Sequence, residues 1–287
     1  GVAILVSLGS ITEQIDNLYF KRIIEEIVND IESGKSFSDS ISRFPSVFSE
    51  IYINMIRSGE AAGMLDDVLA RLATLMEHEQ EMRMRVQQAV RYPLLVILVI
   101  SIAFPLLVMF VIPKFSALFA RFNTELPFPT KMLLGAHFII SHYWPVIVAV
   151  IIILSVGFKR FINTKSGRYI WDRVKLKMPV FGQVFLKISL SRFSRMTALL
   201  SASGIPIINT LEIVRDSLGN RVIADSVDNI IQGIGEGKGI AEPMKLSGLF
   251  PGIVVQMVKI GEETGKINEL LLKVSDYYDS QVDYTVK

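Results

Sequence analysis

The sequence contains no cysteine, and that absence removes disulfides, thiolate metal sites and cysteine nucleophiles together. Only three histidines occur, His78, His137 and His142, and their spacing suits no metal set. Charge of one sign is also missing: 30 basic and 28 acidic side chains leave a net charge of +2, which gives no basic surface for nucleic acid. The opening GVAILVSLGS lacks a basic leader and its apolar run is too short for a secretory signal peptide. Apolar side chains are what the chain has in excess. They make up 51% of it, with a mean hydropathy of +0.43, while 20% charged residues are too many for a wholly buried protein, so soluble modules joined to membrane segments are expected.

One stretch is written twice. Ile53 to Gly63 reads INMIRSGEAAG and Val255 to Gly265 reads VQMVKIGEETG, each preceded by a phenylalanine, Phe48 or Phe250. Extending the match backwards pairs Phe20 with Ile223, Ile24 with Val227, Ile27 with Ile230 and Ile31 with Ile234, at steps of three and four that place them on one helical face. Gly34 and Gly237 follow these apolar runs as helix stops. Past the next loop Met55 pairs with Met257, Leu65 with Ile267 and Leu69 with Leu271. Two repeats of an all-helical module are therefore expected. The second has a further helical segment, Phe185 to Ser203, with no counterpart ahead of Gly1, so the first repeat is expected to be N-terminally incomplete.

Between the copies lie two apolar runs. Residues 93–112, opened by Arg91, Tyr92 and Pro93, and residues 139–158, with Trp144 near one end and Lys159 and Arg160 at the other, have the roughly 20-residue length that crosses a bilayer core. Pro105 is expected to kink the first. Arg83, Arg85 and Arg91 before the first span, and Lys159, Arg160, Lys165, Arg168 and Arg173 after the second, outnumber the bases between them, which puts both repeats on the cytoplasmic side. The connection carries Phe115, Leu118, Phe119 and Phe122 on one helical face, closed by Leu126-Pro127. The organisation expected is a first bundle over 1–90, a membrane hairpin over 91–160, a membrane-surface connector over 161–184 and a second bundle over 185–287.

Candidate sites are few. Gly59 and Gly261 are expected to close one helix, with Glu60 and Glu262 near the start of the next, where a carboxylate suits the positive end of the helix dipole or meets a partner's basic surface. Gly63 and Gly265 complete the motif. Glu32-Ser33-Gly34-Lys35-Ser36 ends like a phosphate-binding loop but has Asn29 where the first glycine is needed and follows a helix, not a strand. The run Gly233, Gly235, Gly237, Gly239 fails the dinucleotide pattern for the same reason. Glu77, Glu79 and Glu81 read as a solvated helix face. No catalytic residue, metal site or cofactor is expected.

Arg192-Phe193 and Leu199-Leu200 leading into Ser203-Gly204-Ile205-Pro206, the paired Gly-Glu motifs, Tyr92-Pro93, and Leu126-Pro127 with Thr130 complete a pattern. The chain resembles the GspF/PilC-like family of inner-membrane platform proteins of type IV pilus and type II secretion machines. The resemblance implies an all-α membrane protein with two repeated cytoplasmic bundles of six-helix type, the first truncated, joined by a transmembrane hairpin. It also implies a third transmembrane helix beyond Lys287, so that the sequence reads as trimmed at both ends. The implied role is non-enzymatic: coupling a cytoplasmic ATPase to extraction and polymerisation of pilin or pseudopilin subunits, in a homo-oligomer with other inner-membrane components. A solute-transporter subunit with duplicated gating domains is the alternative, against which stands the lack of any Asp, Glu, Lys or Arg within the spans.

Overall fold

The computed structural model describes residues 4–111, 114, 128–179 and 181–286. Among them all regular structure is helical. The N-terminal part forms α1 (Ile4–Gln14), α2 (Leu18–Glu32), α3 (Phe37–Ser42), α4 (Glu50–Ala62) and α5 (Leu65–Leu106), which continues as a π-helical turn over Leu107–Val111. There follow α6 (Phe128–Ile162), α7 (Lys165–Lys177), α8 (Phe181–Ala202), α9 (Ile207–Ser217), α10 (Arg221–Gly235), α11 (Ala241–Leu246), α12 (Gly252–Thr264) and α13 (Ile267–Val286). The lengths recur. Helices α1 to α4 have 11, 15, 6 and 13 residues, and α9 to α12 have 11, 15, 6 and 13.

Local chemistry sets these boundaries. The side chain of Asn17 accepts from the amides of Tyr19 and Phe20 at the start of α2, and Asn220 does the same for Val222 and Ile223 at the start of α10. Each satisfies two amides that the first helical turn leaves without partners. Each helix then buries an apolar stripe, Ile23, Ile24 and Ile27 in α2 and Ile223, Val227 and Ile230 in α10, with Ile24 and Val227, and Ile27 and Ile230, at matching positions. Burying one such side chain contributes about 1.5–3 kcal/mol, which is what holds these helices in place.

The described chain divides into two compact units. The first comprises Gly1–Met82 with Asp172–Thr285, and its core includes Ile27, Ile41 and Met55 alongside Leu200, Leu211, Ile230 and Met244. Neighbouring helices pack in the same order in both sequence halves: α1 on α2, α2 on α3 and α3 on α4, then α9 on α10, α10 on α11 and α11 on α12. Helix α8 packs on α9.

The second unit, Arg83–Trp171 with Val286–Lys287, contains most of α5 and all of α6. From Leu65 to Val111 the helical path is continuous, and its most apolar window has a mean hydropathy of 3.1 with only 6% of residues buried. Among the described residues this is the one helix found long and apolar enough to cross a membrane. Arg91, Tyr92 and Pro93 lie inside α5, exposed. Pro105 lies in its last α-helical turn, and the widened π turn begins two residues later, consistent with the hydrogen bond that proline cannot donate. Helix α6 covers the expected span 139–158 but breaks at Tyr143 (φ −113°, ψ 15°), two residues before Pro145. Trp144 is on α6 with its side chain outside the described residues. Phe115, Leu118, Phe119, Phe122 and Leu126-Pro127 also lie outside the described residues.

Candidate functional site

The two Gly-Glu motifs sit near the ends of α4 and α12. Gly59 and Gly261 do not end these helices: both are buried inside them, and the chain turns four residues later at Gly63 (φ 68°) and Gly265 (φ 70°). The left-handed conformation at these two positions is the reason for glycine there. Gly59 and Gly261 have another reason. A Cβ on Gly59 would lie 2.8 Å from Val68 Cγ2, and one on Gly261 would lie 2.7 Å from the Cα of Ile267, so each lets the next helix approach closely.

The glutamates cap a helix, but the preceding short one, not the following one. Glu60 Oε1 accepts from the amide of Phe37 at 2.6 Å and Oε2 from that of Ser38 at 3.1 Å, at the N-terminus of α3. Glu262 accepts from Ile240 at 2.5 Å and Ala241 at 3.1 Å, at the start of α11. A carboxylate facing two unpaired amides at the positive end of a helix is favoured by both charge and hydrogen bonding. Gly34 (φ 93°) and Gly237 (φ 82°) turn the chain into these short helices. Six residues nucleate poorly on their own, so the cap adds to what the burial of Ile41 in α3 and Met244 in α11 contributes.

A second cluster was not legible in the sequence. His78 Nε2 lies 3.4 Å from Asp279 Oδ2, which also takes a hydrogen bond from Arg195 Nη2 at 2.8 Å, while Ser191 donates to Asp279 Oδ1 at 2.5 Å. Beside it Arg192 Nη2 pairs with Glu79 at 2.9 Å and its Nη1 donates to the carbonyl of Ser217 at 3.0 Å. Glu79 is therefore engaged across helices and is not simply on a solvated face. Burial pushes the Asp279 carboxyl up, but the hydrogen bonds from His78 and Ser191, the His78 charge and Arg195 outweigh it and hold the group below the usual carboxylate range. These residues tie α5 to α8 and α13.

A cleft of 480 Å³ separates α4 from α9, lined among others by Glu50, Asn54, Arg57, Asn209, Glu212 and Asp216. Its lining carries charges of both signs. Among the described residues no three histidine or carboxylate side chains converge as a metal ion requires.

Helices of matched length, with carboxylates directed at backbone amides and a long apolar helix left uncovered, make this an all-helical protein with a candidate membrane segment among the described residues. The profile of the family described as type II secretion system (T2SS), protein F, matches residues 1–113 and 193–287, and the chain belongs to that family. A type IV pilus assembly protein PilC of Myxococcus xanthus is 35% identical over 286 residues, covering 100% of this chain and 69% of that protein. Another PilC, from Thermus thermophilus, is 33% identical over 292 residues, covering 100% of this chain and 70% of its own length. A type II secretion system protein F of Aeromonas hydrophila is 27% identical over 286 residues, 100% of this chain and 74% of that protein.

Proposed function

We propose that the protein is a non-enzymatic inner-membrane assembly platform that couples a cytoplasmic ATPase to extraction and polymerisation of pilin-like subunits. The observation that carries this, beside family membership, is helix α5. Its first part contributes Val68, Leu72, Leu75 and Met82 to buried packing, and its last part leaves Leu94 and Ile97 59% and 64% exposed, as the π turn beyond it leaves Phe110 at 60%. Water would penalise so long an uncovered apolar surface, whereas lipid would not. One element then belongs to a cytoplasmic bundle and to the membrane.

The two profile matches and the repeated helix lengths support the duplicated plan: bundles over 1–90 and 185–287, a hairpin over 91–160 and a connector over 161–184. Helices α8 to α13 are six, and α1 to α5 are five, in keeping with a six-helix module whose first copy lacks one helix. Both bundles are cytoplasmic in this reading, and the platform acts as a homo-oligomer with the ATPase, the pilin transmembrane helices and other inner-membrane components as partners. Identities of 35% and 33% to pilus proteins against 27% to a secretion protein favour the pilus branch. Deleting the gene in its host and scoring surface filaments by electron microscopy alongside secreted proteins tests this. Loss of filaments with secretion intact is expected, the reverse would assign a secretion platform, and no change in either would refute the proposal.

A further inference from the structure

The junction of α6 and α7 is built more tightly than a linker needs. Thr164 Oγ1 donates to the carbonyl of Phe161 at 2.7 Å and accepts from the amide of Gly167 at 3.0 Å, capping α7 while holding the end of α6. Gly167 admits no side chain, since a Cβ there would lie 1.9 Å from Phe161 O. Across the turn, Phe158 and Trp171 meet edge to face with centroids 4.9 Å apart. The elbow is thus fixed at its polar turn and on its aromatic flank.

Its outer surface is cationic. Lys159, Arg160, Lys165 and Arg168 are exposed, no acid occurs from 159 to 171, and among the described residues none of these four forms an ion pair. The next carboxylate, Asp172, is 2% exposed and faces inward to Lys175 Nζ at 3.1 Å and the amide of Arg221 at 2.9 Å, so it offers no neutralisation outside. Tyr169 and Ile170 are exposed beside these bases, and the α6 residues leading into the elbow, Ile153, Leu154 and Val156, are 55–68% exposed. Unpaired cations next to uncovered apolar side chains match the charge and polarity of an anionic lipid interface: phosphate outside, acyl chain within. An acidic protein or nucleic acid would complement the charge but not the apolar rim.

We infer that the α6–α7 elbow is a docking surface for anionic phospholipid headgroups, with Lys159, Arg160, Lys165 and Arg168 contacting phosphate. This rests on the membrane assignment of α6. The elbow fixes the depth of the span and the direction in which α7 leaves the bilayer.

The test uses the full chain carrying Trp144→Phe, so that Trp171 is the sole tryptophan, reconstituted in mixed phosphatidylcholine–phosphatidylglycerol vesicles. Either lipid is supplied in brominated form, and quenching of Trp171 reports which one gathers at the elbow. Brominated phosphatidylglycerol is expected to quench more strongly than brominated phosphatidylcholine at equal mole fraction. Lys165→Gln with Arg168→Gln is expected to weaken that preference by about twenty-fivefold, at about fivefold per basic residue near a charged surface. Lys165→Arg with Arg168→Lys is expected to retain it. Equal quenching by both lipids overturns the inference. Carbonate extraction of the same vesicles separates the two failures: protein that stays inserted without lipid preference sinks this inference alone, and protein that is extracted sinks the membrane reading beneath it.

Discussion

Gly59 and Gly261 stand at matching places in α4 and α12, yet what presses on them differs. Val68 Cγ2 and Cβ face Gly59, whereas Ile267 presents backbone to Gly261. A side chain can shift by a rotamer and backbone cannot, so Gly261→Ala is expected to cost more than Gly59→Ala, within the roughly 1–3 kcal/mol typical of overpacking. Denaturant unfolding of the two variants measures the order, and a larger loss for Gly59→Ala would contradict it. The carboxylates act by another route. Glu60→Gln replaces one acceptor with an amide donor facing a backbone N–H and is expected to lower stability by about 1 kcal/mol, with less for the more exposed Glu262→Gln. If stability were unchanged while ATPase binding fell, the carboxylates would be partner contacts and not caps. The sequence reveals that the motif recurs and that a carboxylate belongs at a helix N-terminus. It does not reveal which helix, because the partner amides lie more than twenty residues back and only the folded turn brings them together. Elsewhere the repeats diverge: Asp30 binds Lys35 and Arg43, while Gly233 at the matching position lets Pro243 pack against the helix, where a Cβ would come within 2.2 Å.

At the scale of elements, the apolar stripes of α2 and α10 are readable as period and confirmed as buried faces, because burial is the dominant local constraint on a helix. The clasp between α5, α8 and α13 is not readable, since His78, Ser191 and Asp279 are distant in sequence and each alone is an ordinary surface residue. Its behaviour with pH follows from the sign of the Asp279 shift. A carboxyl whose folded pKa is depressed contributes its full stability above the ordinary value of 3.8 and loses it as pH falls through the lower folded value. Asp279→Asn is therefore expected to destabilise the protein at neutral pH and to flatten the decline in unfolding midpoint below about pH 4. A decline as steep as the parent's would place the acid sensitivity in other carboxylates, Asp30 among them, whose hydrogen bonds from Lys35 and Arg43 also hold it low.

For the molecule as a whole, composition and the two apolar runs make membrane attachment legible, while the assembly of α1–α4 and α8–α12 into one compact unit depends on contacts that no local pattern encodes. The lack of cysteine that opens the sequence also makes its topology directly measurable. Single cysteines report without background, and three positions separate the possibilities: Gly9 on α1, where an added Cβ meets nothing within 4 Å, Lys266 between α12 and α13, and Phe128, 80% exposed at the start of α6. With α5 and α6 as a hairpin and the bundles inside, a membrane-impermeant maleimide is expected to label Phe128→Cys in spheroplasts and to reach Gly9→Cys and Lys266→Cys only after lysis. Protection of all three would leave α6 short of a crossing, and α5 would then be held at the membrane without a return span. Labelling of Gly9→Cys before lysis would reverse the orientation that the flanking bases imply, and with it the placement of any ATPase contact on the bundles.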